Sequence, residues 1–281
     1  MKKILVLFVL LSSALLGQNG VFTPGDYKDG IYVKENAVNK RLVPYTYLRE
    51  ADVTWERRVW RRIDLREKRN HALYYPTEFL VSRTSFLQAL TKNIMNGTLL
   101  AFKDEQFMEL LDPKDLRAKW VAQDDSTDQE LVDSSGNTYT QRVAGAIDSL
   151  WLYRNFSSIQ VKEDWFFDRE KSVLEVRIIG LEIYAYKRGK EDAGEFSQFF
   201  VYFPACRPVF AKYEVFNPKN DSERRTFEDI FWKRQFSSQI VKESNVFDRT
   251  VDSYSKGIDA LLESDRIKQD IFQFEHDLWQ F

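Results

Sequence analysis

The stretch that most restricts the fold runs from Asn155 to Lys187. Val161, Trp165 and Phe167 lie on one side of an extended chain, Asp168 to Ser172 supplies a turn, and Leu174, Val176 and Ile178 alternate beyond it. Two alternating runs joined by a short polar turn form an antiparallel hairpin. One register aligns the apolar faces and opposes unlike charges: Trp165 against Val176, Phe167 against Leu174, Asp164 against Arg177. A slipped register would set Asp164 against Glu175. A hairpin with an apolar face has to be covered, and Phe196 to Phe203 adds a further strand to the same sheet. The expected fold class is α+β, an antiparallel sheet (hairpin around 157–187 plus strand 196–203) packed with several amphipathic helices.

The covering helices come from the flanks. Leu48 to Asn70 is expected to be the first substantial helix, with Val53, Trp60 and Ile63 on one face and with Val59 close to Ile63. Arg57, Arg58, Arg61, Arg62, Arg66, Lys68 and Arg69 are interleaved there with Asp52, Glu56, Asp64 and Glu67, several at helical ion-pair spacing. Ser82 to Gly97 is a second helix: Ser85 and Gln88 have capping-box spacing, Phe86, Leu87, Leu90 and Ile94 share a face, and Gly97 ends it in the left-handed region. Thr98 to Phe102 reads as a short strand, and Phe107 to Val121 as a helical pattern interrupted at Pro113. Gln123 to Gly145, with Asp124, Asp125, Asp128, Ser134, Ser135 and Gly136, is expected to be a polar loop. Its acids lack the ligand spacing of a calcium site. In Thr250 to Phe281, Ile258, Leu261 and Leu262 begin a helical face that Ile267, Ile271, Phe274 and Leu278 continue with a phase shift.

Lys2 and Lys3 followed by the apolar run Ile4 to Leu16 form the n- and h-regions of a secretory leader, too short to span a bilayer. The expected division is a signal peptide at 1–19, an extended arm at 20–47 and an α+β domain at 48–281, with a split into two lobes inside 123–145 left open. The arm, broken by Pro24, Gly25, Gly30 and Pro44, is either loose or ordered on a neighbouring subunit. A formal net charge of -2 offers no field for nucleic acid. The single cysteine, Cys206, cannot close an intrachain disulfide and reads as a small buried apolar residue.

No set of residues fills the roles of a catalytic site, and neither cofactor nor metal is expected. Two histidines, His71 and His276, and one cysteine do not make a zinc set; phosphate-cradling glycine loops and the Gly-x-Ser-x-Gly elbow are missing. Glu163, Asp164 and Asp168 lie near Trp165, as in a glycosidase. On one strand Asp164 and Asp168 would stand roughly 13 Å apart, beyond the ~5–9.5 Å that glycoside chemistry uses.

Tyr202 to Arg249 holds three of the seven prolines, Pro204, Pro208 and Pro218, so Phe203 to Asn217 is expected to be a short bent segment. Asn220 to Ser222 then cap an amphipathic helix through Phe227, Ile230 and Phe231. This string resembles the GldN/PorN proteins of bacterial gliding motility and type IX secretion. So do LREADVTWERRVWRRIDLREKRNHALYYP, from Leu48 to Pro76, and KEDWFFDREKSVLEVRIIGLEIY within the hairpin. The resemblance implies a non-catalytic structural component of that machinery, periplasmic and held at the outer membrane by a lipoprotein partner of the GldK/PorK type. It also implies self-association within a ring, and leaves open a contact with the periplasmic part of a GldM/PorM-type inner-membrane motor component. The alternative is a periplasmic protein that binds or hydrolyses cell-wall glycan. Partner surfaces favour aromatic and arginine anchors. The candidates here are Trp55, Arg58, Trp60, Arg61 and Arg62, and a second group of Phe231, Trp232, Arg234 and Phe236.

RNFSSIQVKEDWFFDR, from Arg154, and RQFSSQIVKESNVFDR, from Arg234, match at an offset of 80. Because one copy leads into a hairpin and the other follows a helix, shared local demands are the preferred reading over a duplicated unit.

Overall fold

The computed structural model describes residues 40–80, 83–120, 127–132, 138–143, 151–186, 191–217, 220 and 222–278. The expected leader and most of the arm lie outside them.

A five-stranded antiparallel sheet organises the chain. Its strands, in chain order, are β1 (Val53–Asp64), β4 (Phe156–Asp168), β5 (Val173–Tyr186), β6 (Glu195–Tyr202) and β9 (Gln239–Glu243), arranged in space as β6-β5-β4-β1-β9. Two-stranded pairs join β2 (Thr127–Val132) to β3 (Thr138–Val143) and β7 (Glu214–Val215) to β8 (Arg225–Thr226). The helices are α1 (His71–Tyr74), α2 (Phe86–Met95), α3 (Pro113–Trp120), α4 (Trp151–Asn155), α5 (Phe203–Phe210), α6 (Phe227–Trp232) and α7 (Ile258–Leu278). The fold is α+β, as the patterning requires.

The β4–β5 hairpin has the expected register, with Asp164 opposite Arg177, Trp165 opposite Val176 and Phe167 opposite Leu174. A bulge between Lys162 and Glu163 inserts one extra residue in β5, so Ile178 and Gly180 face consecutive residues of β4. The α2 capping box forms, with Ser85 Oγ accepting from the Gln88 amide and Gln88 Oε1 from the Ser85 amide. Gly97, at φ 72°, closes that helix in the left-handed region.

Several expectations are corrected: the cap before Phe227 is Thr226 and not Asn220 to Ser222, the helical pattern from Phe107 forms a helix only from Pro113, and Thr98 to Phe102 contributes only isolated bridges at Phe102. The stretch 48–70 is not a long helix: most of it is β1, in the interior of the sheet. Its acids and bases pair across strands, Arg58 with Asp164 and Arg57 with Glu243, so the charge pattern that mimics helical spacing is a cross-strand one. β-branched Val53, Thr54, Val59 and Ile63 with Trp55 and Trp60 favour that outcome. The span 123–145 contains the β2–β3 hairpin, in register from Thr127 opposite Val143 to Val132 opposite Thr138; Asp124, Asp125 and Ser134 to Gly136 lie outside the described residues. Phe203 to Phe210 is helical despite its prolines: Pro204 occupies the first turn, where no amide donor is needed, and only Pro208 lies inside. On α7 the buried face is Ser264, Ile267 and Ile271, while Ile258, Leu261 and Leu262 are exposed.

One face of the sheet carries two apolar clusters. The larger joins Ile63, Ile159, Val161, Leu181, Ile183 and Phe199 to α2, α5 and α6. Phe86 is its hub, with ring centres 5.1 Å from Phe210, 5.4 Å from Phe227 and 5.3 Å from Phe231. The smaller cluster packs Val59, Ile240 and Val251 on Ile267 and Ile271 of α7, with Trp55, Trp165 and Leu174 alongside. Between the clusters, on the same face of β1 and β4, stand Arg61 and Glu163.

The opposite face is capped by residues 102–110. Phe102 pairs with Phe200 at the rim of β6. The Asp104 carboxylate accepts the amides of Glu109 (2.7 Å) and of Met108 and Gln106 (3.1 Å each), which hold its pKa below the usual carboxylate range. This loop sets Phe107, at φ 59°, on Gly180, where a Cβ would fall into the Phe107 ring.

Candidate partner-binding surface

Strand geometry divides the first candidate group between two faces. On the capped face, the Arg58 fork donates to both oxygens of Asp164 at 2.6 and 2.7 Å. Trp60 lies between Lys162 and Lys242, whose ammonium groups are 5.9 and 4.5 Å from its ring centre, and its indole donates to Glu105 at 2.7 Å. Arg62 stacks 4.3 Å over Tyr184 and pairs with Glu195. On the other face, Trp55 stacks on Phe274 at 4.3 Å and Arg61 is buried against Glu163. Most of what these side chains offer is already satisfied within the chain.

The 80-residue match finds a physical setting here. Lys162 and Lys242 both stand opposite Trp60, and Glu163 and Glu243 both stand opposite Val59, because β4 and β9 flank β1 on either side. The two strings answer to the same partner strand. Beyond Trp60 the registers part, since a bulge places Ile240, not Val241, opposite Arg61.

The second candidate group surrounds the end of α6. Phe231 and Phe236 are core residues, whereas Trp232 remains 45% exposed. Residues 40–49 lie across this region on their own chain. Lys40 pairs with Asp229 and donates to Thr226 at 3.0 Å, and Arg177 donates to the Thr46 carbonyl at 2.8 Å. Tyr45 and Trp232 sit 4.3 and 4.6 Å from the Arg207 guanidinium. Arg207, 4% exposed, also binds Glu228 at 2.8 Å and the Val43 carbonyl at 2.7 Å. Burial alone would raise the Asp229 pKa; the Lys40 ammonium and the Thr226 amide and hydroxyl outweigh it and hold it below the ordinary value. Neither Tyr45 nor Arg207 was a sequence candidate. The signal that would have found Arg207 is a lone charge in the apolar run Pro204 to Phe210, which has to be paired if that run is buried.

Arg234 follows α6 with φ 51°. Its amide donates to Phe231 and the Gln235 amide to Ile230, the double bond of a Schellman ending in which glycine is the usual left-handed residue. An arginine bears that conformation here, and its guanidinium reaches Glu163 at 2.8 Å. Glu163 is fully buried and accepts from Arg61, Arg234 and, at 2.8 Å, the Trp165 indole. The three acids beside Trp165 are thus all engaged: Glu163 here, Asp164 by Arg58, and Asp168 by Lys171 at 3.1 Å. Burial opposes ionisation of Asp168, but Lys171 and the amides of Lys171 and Glu170 prevail and its pKa is lowered.

Above this network opens a pocket of about 410 Å³ between the sheet and α7. Arg61, Trp165, Arg234 and Phe236 form its inner wall; Lys268, Ile271, Phe272 and Glu275 line it from one face of α7, and Arg69 lies at its edge. Cys206 is remote from such chemistry, buried in the larger cluster, where burial pushes its thiol up to about 12. Among the described residues no group of three or more His, Cys, Asp or Glu is placed to hold a metal, and no helix is long and apolar enough to cross a membrane.

The family model described as "Gliding motility associated protein GldN" matches residues 48–280, from just before β1 to past the end of α7. The chain belongs to the GldN family. Comparison with curated proteins finds no match. The GldN match takes in every strand of the sheet, both apolar clusters and all the elements that line the pocket, and it associates the chain with gliding motility.

Proposed function

We propose that this GldN-family protein is a non-catalytic structural component of the gliding and type IX secretion machinery. In this reading it acts in the periplasm and assembles with an outer-membrane lipoprotein of the GldK/PorK type into a ring. A GldM/PorM-type motor component is a further candidate neighbour. The observation that carries the reading is the family match over residues 48–280. A leader-like N-terminus in the sequence supports export. The acids near Trp165 are all held by cations of the same chain, which suits a framework role for them.

The test is a binding assay between the mature chain and the lipoprotein. Co-elution of the two at fixed stoichiometry supports assembly. Release of soluble fragments from peptidoglycan by the purified chain would overturn the reading in favour of glycan chemistry.

A further inference from the structure

We propose that the pocket between α7 and the Arg61–Glu163–Arg234 network receives a carboxylate side chain from a partner polypeptide. The proposal rests on the assembly reading above and adds to it a place and a ligand chemistry. Four cations, Arg61, Arg69, Arg234 and Lys268, line the pocket; they face Glu275 in the same wall and Glu163 beneath it, which leaves two positive charges in excess. The side chains of Arg69 and Lys268 have no ion pair among the described residues. Arg234 brings a further guanidinium to the same wall, with its Nη2 held by Glu163. The chain retains an arginine at a left-handed position where backbone energetics favour glycine, and so keeps this guanidinium at the pocket wall.

The walls decide the kind of anion. Trp165 and Phe272 provide aromatic surface beside the charges, and Phe272 is 66% exposed. A glutamate or aspartate on a polypeptide meets both features, its stem or an apolar neighbour against the rings and its planar carboxylate on a guanidinium fork. Inorganic phosphate has no apolar part to offer. A lipid bilayer presents its headgroups on a broad surface, whereas this is a recess of about 410 Å³, room for one or two side chains.

Calorimetric titration of the purified mature chain tests this with an acetylated, amidated Gly-Phe-Glu-Glu-Gly peptide, its Gln-Gln counterpart, inorganic phosphate and phosphatidylglycerol vesicles. The acidic peptide is expected to bind, more weakly as salt rises, with the Gln-Gln peptide at least tenfold weaker. The double variant Arg69→Glu/Lys268→Glu alters exposed side chains, should keep the parent's thermal transition, and should lose at least tenfold in peptide affinity. Glu275→Gln should gain severalfold. The proposal is overturned if no acidic peptide binds, if the double variant binds it unchanged, or if phosphate or vesicles bind more tightly than the peptide. Failure here with intact lipoprotein co-elution removes the pocket's role alone; loss of co-elution by the unaltered chain removes the assembly reading.

Discussion

Replacing Glu163 by glutamine should be one of the most damaging single changes on the sheet, while the same change at its neighbour should be mild. Glu163 is 0% exposed and is the counter-charge of both Arg61, whose side chain is 8% exposed, and Arg234. In Glu163→Gln the Arg61 guanidinium stays desolvated with no anion against it, while Arg234, with a side chain 26% exposed, loses its counter-charge but keeps some access to water. Breaking a buried pair by removing one partner costs about 3–5 kcal/mol, because the remaining charge stays desolvated. In a domain of this size each kcal/mol moves Tm by about 2–4 °C, so a fall of roughly 6–20 °C is expected. Asp164 faces the other side of the sheet and pairs with Arg58, whose side chain is 40% exposed. Water can solvate that arginine once it is released, so Asp164→Asn should cost about 1 kcal/mol. The assay is urea unfolding of both variants at pH 7 with matched m-values. Equal losses, or a Glu163→Gln variant within about 1 kcal/mol of the parent, would refute the reasoning that one buried acid holds the two clusters together.

Three further perturbations probe the rest of the fold. Gly180→Ala drives a methyl into the Phe107 ring and should cost about 1–3 kcal/mol, with Phe107→Ala restoring part of the loss in the double variant. Burial raises the Glu182 pKa, so ionising Glu182 costs stability at neutral pH and the cost disappears as pH falls towards the ordinary glutamate value. Glu182→Gln should therefore raise Tm at pH 7 and lose that advantage near pH 4, as thermal scans across pH would show. Asp229 has the opposite sign: its lowered pKa makes its bond to Lys40 fully stabilising above the ordinary aspartate value, about 3.9, and lost as pH falls through the folded-state value. Proteolytic cleavage within residues 40–49 should accelerate in that acid window, and Asp229→Asn should show faster cleavage already at pH 7.

The hairpin was legible because its information is local. Alternation fixes the faces of β4 and β5, and Asp164 opposite Arg177 fixes the register, all within one short stretch. Helix α2 was legible for the same reason, through Ser85, Gln88 and Gly97. Strand β1 was not, because its partners lie about a hundred residues or more downstream in β4 and β9. Acids and bases that neutralise one another across strands are indistinguishable, in the sequence of one strand alone, from a helical ion-pair stripe. The candidate surface suffers more from this limit. Trp55 and Trp60 face opposite ways at the sheet, and Phe231 and Phe236 are consumed by the core. The pocket draws Arg61, Trp165, Arg234 and Lys268 from segments far apart in the chain, and no spacing rule links them. Arg234 alone carried a local hint, a non-glycine residue just past a helix end, and only its dihedral angles reveal that meaning.

The proposed role requires the chain to be built into a larger body. The most direct measurement is the mass distribution of the protein in solution, alone and mixed with the outer-membrane lipoprotein proposed as its partner. A shift from small species to one discrete, two-component particle of high mass is the predicted result. Unchanged masses on mixing, with the protein remaining a single unpartnered chain, would contradict it.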